Sequence, residues 1–145
     1  MTAMIISATV QSGFGVASKN LKFQMPHLVW QLPELKNIYT ATINLLLDTP
    51  LRISKFERTT LPIPWWDVDD SRPGFWHEER FSILPIMFEY PINTPSKVAW
   101  LFASHDSAYF HDPDRFEVVT EKIDGLLTGQ RCIIHVEKNP DINVG

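Results

Sequence analysis

Arg131-Cys132-Ile133-Ile134-His135-Val136-Glu137 alternates strictly, with Cys132, Ile134 and Val136 on one side and Ile133, His135 and Glu137 on the other. A period of two is the signature of a half-buried β-strand. Gly129-Gln130 ahead of it reads as a tight turn. Working outward, further strands are predicted at Met4–Val10, Ile43–Leu47, Phe81–Phe88, Lys97–Ala103 and Arg115–Thr120. Pro85 makes the strand that contains it an edge strand or a broken one. Helical signal is thin. Pro26 is placed at the first turn of a short helix over His27–Leu32, and Glu121–Leu127 forms a second short helix weakened by Gly125. Many short strands with few helices favour a small β-barrel over a βαβ sheet.

A chain of 145 residues fits a single domain, 1–145, and can bury a core. Hydrophobic residues at 44% and charged residues at 21% are ordinary for a globular protein. The net charge of −4 argues against a nucleic-acid partner, which requires a net basic face. No basic leader and no apolar run of membrane-spanning length is present, so the expectation is a cytoplasmic protein without membrane contact. The single cysteine, Cys132, reads as a small buried hydrophobe. The segment at about 62–80 is rich in Pro and aromatic residues, including Trp65, Trp66 and Trp76, and is expected to be an ordered loop. Its tryptophans form either a local hydrophobic plug or a stacking surface for a planar ligand.

Two segments carry candidate chemistry. Ser12-Gly13-Phe14-Gly15-Val16-Ala17-Ser18 follows the first strand, and glycines there allow close backbone approach to a phosphate. A plain β-turn is the competing reading. Ala41-Thr42-Ile43-Asn44 leads into Leu45-Leu46-Leu47. Thr42 and Asn44 stand two residues apart on a strand, so their oxygens point the same way and suit Mg²⁺ completed by phosphate and water. Two surface polar residues at a strand start give the same pattern. Glu117, in Arg115-Phe116-Glu117-Val118-Val119, points inward with a raised pKa as a proton acceptor, or else outward as a surface glutamate. The five histidines show no zinc spacing. Asp67, Asp69 and Asp70 lack the EF-hand pattern.

Taken in order, these segments resemble the CTP-dependent riboflavin kinases. The family's V-x-S-G-x-G-x-G-A-like loop is similar to Val10–Ser18. Its G-T-L-N motif is similar to Ala41–Asn44, and its E-I-I-A-like strand to Glu117–Thr120. Its closing L-x-x-G-D-x-V-like segment is similar to Leu126–Cys132. The resemblance implies a six-stranded cradle-loop barrel that transfers the γ-phosphate of CTP to riboflavin, giving FMN. It further implies nucleotide binding by Gly13, Phe14, Gly15, Val16, Ala17 and Lys122, and Mg²⁺ binding by Thr42 and Asn44. Tyr109, His111 and Glu117 would contact the flavin, with Glu117 catalytic. The chain departs from the family at Ala41 and Ala17, where glycines are expected, and at Tyr109, where the family has threonine. Lys122 lies in Glu121–Gly125, which does not clearly match the family's Leu-Arg. The alternative is a non-catalytic protein that binds a nucleotide or a planar small molecule on the same barrel.

Overall fold

A computed structural model describes residues 3–13, 18–65, 77–105, 110 and 112–145. It contains the strands β1 (Ala3–Ser12), β2 (Ile43–Leu47), β3 (Leu51–Ile53), β4 (Arg58–Thr59), β5 (Ile63–Trp65) and β6 (His77–Glu79). They are followed by β7 (Phe81–Glu89), β8 (Lys97–Ser104), β9 (Arg115–Val119), β10 (Arg131–Glu137) and β11 (Ile142–Val144). A helix, α1 (Ser18–Gln31), and a short 3₁₀ turn (Pro33–Leu35) lie between β1 and β2.

Six strands run antiparallel in the order β10-β1-β2-β9-β8-β7, and β7 pairs back onto β10 to close the barrel. Closure removes sheet edges that would otherwise invite pairing with other chains. The inward residues of each strand fill the interior. Val10, Ile43, Leu45, Phe88, Leu101, Val118, Cys132 and Ile134 are all fully buried. Each such aliphatic or aromatic side chain contributes roughly 1.5–3 kcal/mol on leaving water. The alternation of the last long strand holds, with Cys132, Ile134 and Val136 inside. Residues Leu127–Gln130 form the turn before it, closed by the Gln130 amide donating to the Leu127 carbonyl at 3.3 Å, with Gly129 at φ 88°.

Three local expectations are corrected. The helix starts at Ser18, so Pro26 sits in its interior and not at its first turn. Proline there forfeits one backbone bond. Leu21 and Leu28 inside the helix and Leu32 just beyond it are nevertheless buried on one face, against Ile63, Phe81, Ile83, Phe102 and Val119 on the outside of the barrel. Helical stability of this kind comes mainly from packing. The expected helix at Glu121–Leu127 is a run of turns and bends in which Gly125 takes φ 78°. The expected loop at about 62–80 has a base of regular structure, because β5 and β6 pair as an antiparallel ribbon from Ile63↔Glu79 to Trp65↔His77. Pro64 is paired within it.

Pro85 leaves β7 unbroken. It pairs opposite Trp100 of β8, while on the other side β4 pairs only at Ser82 and Ile83, and β10 only from Met87 onward. The proline therefore falls in the interval where that side makes no ladder bond. Among the described residues no helix is long and apolar enough to cross a membrane.

Candidate functional site

The site begins with a β-bulge. Val10 pairs with Leu45, but the next registered pair is Ser12 with Asn44, so β1 carries one extra residue. Regular alternation from the buried Val10 would turn Ser12 into the core. The extra residue turns it outward instead, onto the face that carries Asn44. The Asn44 side-chain amide donates to Ser12 Oγ at 2.6 Å.

The row continues across the sheet. Asn44 stands directly opposite Glu117 of β9, and Glu117 opposite Phe102 of β8. Ser12, Asn44, Glu117 and Phe102 thus line up across four adjacent strands on the outer face, since Ile43, Leu45, Val118 and Leu101 face inward. Glu117 does not point into the barrel, as one sequence reading expected. Alternation gives the interior to Val118 and leaves Glu117 outside. Thr42, two residues before Asn44 and only 7% exposed, donates its hydroxyl to Glu117 Oε1 at 3.2 Å.

Beyond this row the barrel wall opens. Pairing between β8 and β9 ends at Phe102–Glu117. Ala103 and Ser104 continue along β7, whereas Phe116 and Arg115 continue along β2. A cleft of about 470 Å³ lies where the two strands part, with Ala103, Ser104, Arg115 and Phe116 on its walls and Ser12, Asn44 and Glu117 at its head. Phe110 also lines it. The volume falls in the range of small-molecule sites.

Burial raises the Glu117 carboxyl above the ordinary glutamate range; the Thr42 hydroxyl opposes this, and the nearby Glu79 carboxylate adds to it. Glu79, on β6, accepts from Ser104 Oγ at 2.7 Å, which ties the ribbon to the cleft wall. A carboxyl raised in this way is a stronger proton acceptor than an ordinary glutamate. The Thr42 hydroxyl oxygen and the Asn44 carboxamide oxygen are hard neutral donors, and Glu117 adds a carboxylate beside them. That donor chemistry fits Mg²⁺, which takes few protein ligands and completes its shell with phosphate and water. Among the described residues no cluster of three His, Cys, Asp or Glu side chains competes as a metal site.

Thr42, Asn44 and Glu117 are therefore brought together, and Ser12 joins them. Gly13 follows Ser12 but packs elsewhere, since a Cβ built on it would lie 3.0 Å from the Leu126 carbonyl oxygen. Lys122 is not among the residues lining the cleft. Its ammonium lies 5.6 Å from the Tyr39 ring centroid. Phe14, Gly15, Val16, Ala17, Tyr109 and His111 lie outside the described residues, as do Trp66, Trp76 and the aspartates at 67, 69 and 70. Ala41 is buried without a positive φ, the described residues having Asn93 as the one non-glycine in that region. Alanine is therefore unstrained at this position, where the riboflavin kinases have glycine.

Sequence reading missed Phe102, Ser104, Phe110, Phe116 and Arg115. For Arg115 a signal existed, because a residue two places before Glu117 on a strand shares its face. The others depend on where β8 and β9 part, which strand periodicity does not encode. No protein-family model matches the chain, and no curated protein matches it.

Proposed function

We propose that the cleft is the site of a nucleotide- and Mg²⁺-dependent phosphotransferase of the riboflavin kinase type, with CTP as donor and riboflavin as acceptor. The observation that carries this reading is that Asn44 and Glu117 line the head of one cleft, with the buried Thr42 hydrogen-bonded to Glu117. These residues come from two segments 75 positions apart, singled out separately in the sequence. Phosphoryl transfer asks mainly for positioning and charge neutralisation, so a small set of groups suffices.

Thr42 and Asn44 would hold Mg²⁺, which when bound supplies neutralisation of phosphate charge. Glu117 faces the same point and takes the proton of the acceptor hydroxyl. The acceptor oxygen forms a bond to the γ-phosphorus as the bond to the β-bridging oxygen breaks, and the nucleoside diphosphate leaves with that electron pair. Phe102, Phe110 and Phe116 give the cleft aromatic walls suited to a planar ring.

The test is incubation of the full chain with riboflavin, MgCl₂ and each nucleoside triphosphate, with FMN followed by chromatography and fluorescence. FMN formation with at least one donor is expected, and its abolition in Asn44→Ala. Absence of FMN with every donor removes the kinase assignment. Thermal stabilisation by riboflavin or CTP without turnover would instead favour a binding protein on the same barrel.

A further inference from the structure

The barrel wall parts a second time, between β7 and β10. Their pairing ends at Met87–His135, so Pro85 and Glu137, which the register would set opposite each other, are not paired. From there β10 continues along β1 to Ala3, and β7 continues along β8. A cavity of about 340 Å³ lies at this seam, with His135 at its head. It shares no lining residue with the cleft and sits at the other end of β1 and β8. Ala3 and Val98 line the cavity, whereas Ser12 and Ser104 line the cleft.

Its walls are apolar and face water. Met87 and Val98 pair across β7 and β8 and keep 38% and 56% of their surface exposed, with Pro85 beside them on the outer face of β7. The polar groups on offer are acceptors. Glu89, two residues from Met87 on the same face, accepts the Asn93 amide on Oε2 at 3.0 Å, and its Oε1 lies 3.0 Å from His135 Nε2. The Asn93 amide and then His135 hold that carboxyl below the usual glutamate range, so His135 Nε2 donates to an ionised carboxylate. In the neutral ring this leaves Nδ1 as an acceptor. Glu137, two residues beyond His135 on the same face of β10, is exposed and makes no hydrogen bond or ion pair among the described residues.

We infer that this second cavity binds a small organic amine, with its apolar body on Pro85, Met87 and Val98 and its ammonium group on the Glu137 carboxylate beside His135. Charge complementarity sets the class. An ammonium group brings donors and positive charge to a wall of acceptors, whereas a carboxylate or phosphate would meet the like charge of Glu137 and Glu89. The apolar wall gives a bare metal ion nothing to bind, and the described residues hold no group of three metal-ligating side chains. A volume near the lower end of small-molecule sites suits a single ring or a short chain. The inference stands independently of the phosphotransferase reading.

The test is an NMR titration of the isotope-labelled full chain with 2-phenylethylamine and, separately, with 3-phenylpropionate, which carries the same ring and the opposite charge. The amine is expected to shift the backbone signals of Val98, His135 and Glu137 saturably and to leave those of Asn44 and Glu117 in place. The carboxylate should move none of them. Glu137→Gln is expected to weaken amine binding about tenfold or more, the loss of a charge-assisted bond. Val98→Trp, at a position open to water, should fill the cavity and abolish binding. Amine shifts that do not saturate, equal affinity for the two probes, or wild-type affinity in either variant would each overturn the inference. Saturable shifts centred on Asn44 and Glu117 would overturn it as well, by placing the amine in the cleft.

Discussion

Thr42→Val removes one hydroxyl and almost no volume, and its cost should depend on pH. In the wild type the hydroxyl donates to Glu117 Oε1 at 3.2 Å, from a position only 7% exposed. When Glu117 is ionised, the bond has a charged acceptor and is worth about 1.5–3 kcal/mol; when Glu117 is protonated, it is a neutral bond worth about 0.5–1.5 kcal/mol. Burial places the folded value of Glu117 above the ordinary 4.5, so the folded chain binds more protons than the unfolded chain in the window above 4.5. The contribution of this group to stability therefore falls as pH rises through that window. The Thr42 bond limits the fall, and without it the fall deepens. Urea unfolding at pH 4.5 and pH 8 provides the assay. A loss of about 2 kcal/mol is expected at pH 8 against about 1 kcal/mol at pH 4.5. With a slope near 1.5 kcal/mol per molar, the midpoint moves by about 1.3 M and about 0.7 M respectively. Thr42→Ser should restore the wild-type midpoints, and combination with Glu117→Gln should erase the pH dependence. An equal loss at both pH values would refute the assignment of the hydroxyl to the carboxylate.

Phe88 is fully buried among the barrel's inward residues, and Phe88→Ala is expected to cost about 3–5 kcal/mol, read by the same unfolding assay. Gly13→Ala should cost about 1–3 kcal/mol, because its Cβ would meet the Leu126 carbonyl oxygen at 3.0 Å and backbone must give way; a midpoint equal to the wild type would place that loop elsewhere. The Cys132 thiol, pushed up to about 12 mainly by burial, should resist a disulfide reagent at pH 8 in the folded protein and react at once in urea, a contrast visible by absorbance.

The barrel was legible because its long strands carry their own period. Ile43–Leu47 and Arg131–Glu137 coincide with β2 and β10, and four other strands differ by one or two residues at an end. The short strands β3, β4 and β11 were not legible, since two or three residues cannot display a period. The helix was misread at Pro26, because a local rule about proline was overruled by the burial of Leu21 and Leu28 against β7 and β8. At the site, Thr42, Asn44 and Glu117 stood out by residue type and position. Their meeting depends on the β2–β9 register, and the cleft depends on where β8 and β9 part. Neither quantity is local to any segment.

The bulge in β1 lets two successive residues, Gln11 and Ser12, both line the cleft, where regular alternation would send one of them inward. Gln11 is the residue the ladder absorbs, so Val10 and Ser12 keep the opposite faces they would take as direct neighbours. Deleting Gln11 would join Val10 directly to Ser12, and regular alternation would keep Ser12 outward and opposite Asn44. Both Gln11→Ala and deletion of Gln11 should keep the Ser12–Asn44 pairing, read by cross-strand NMR contacts; its loss on deletion would refute the bulge. In a lineage of such barrels, both substitution and loss of this residue would leave the row of Ser12, Asn44 and Glu117 in place, so the bulge can come and go while the row stays.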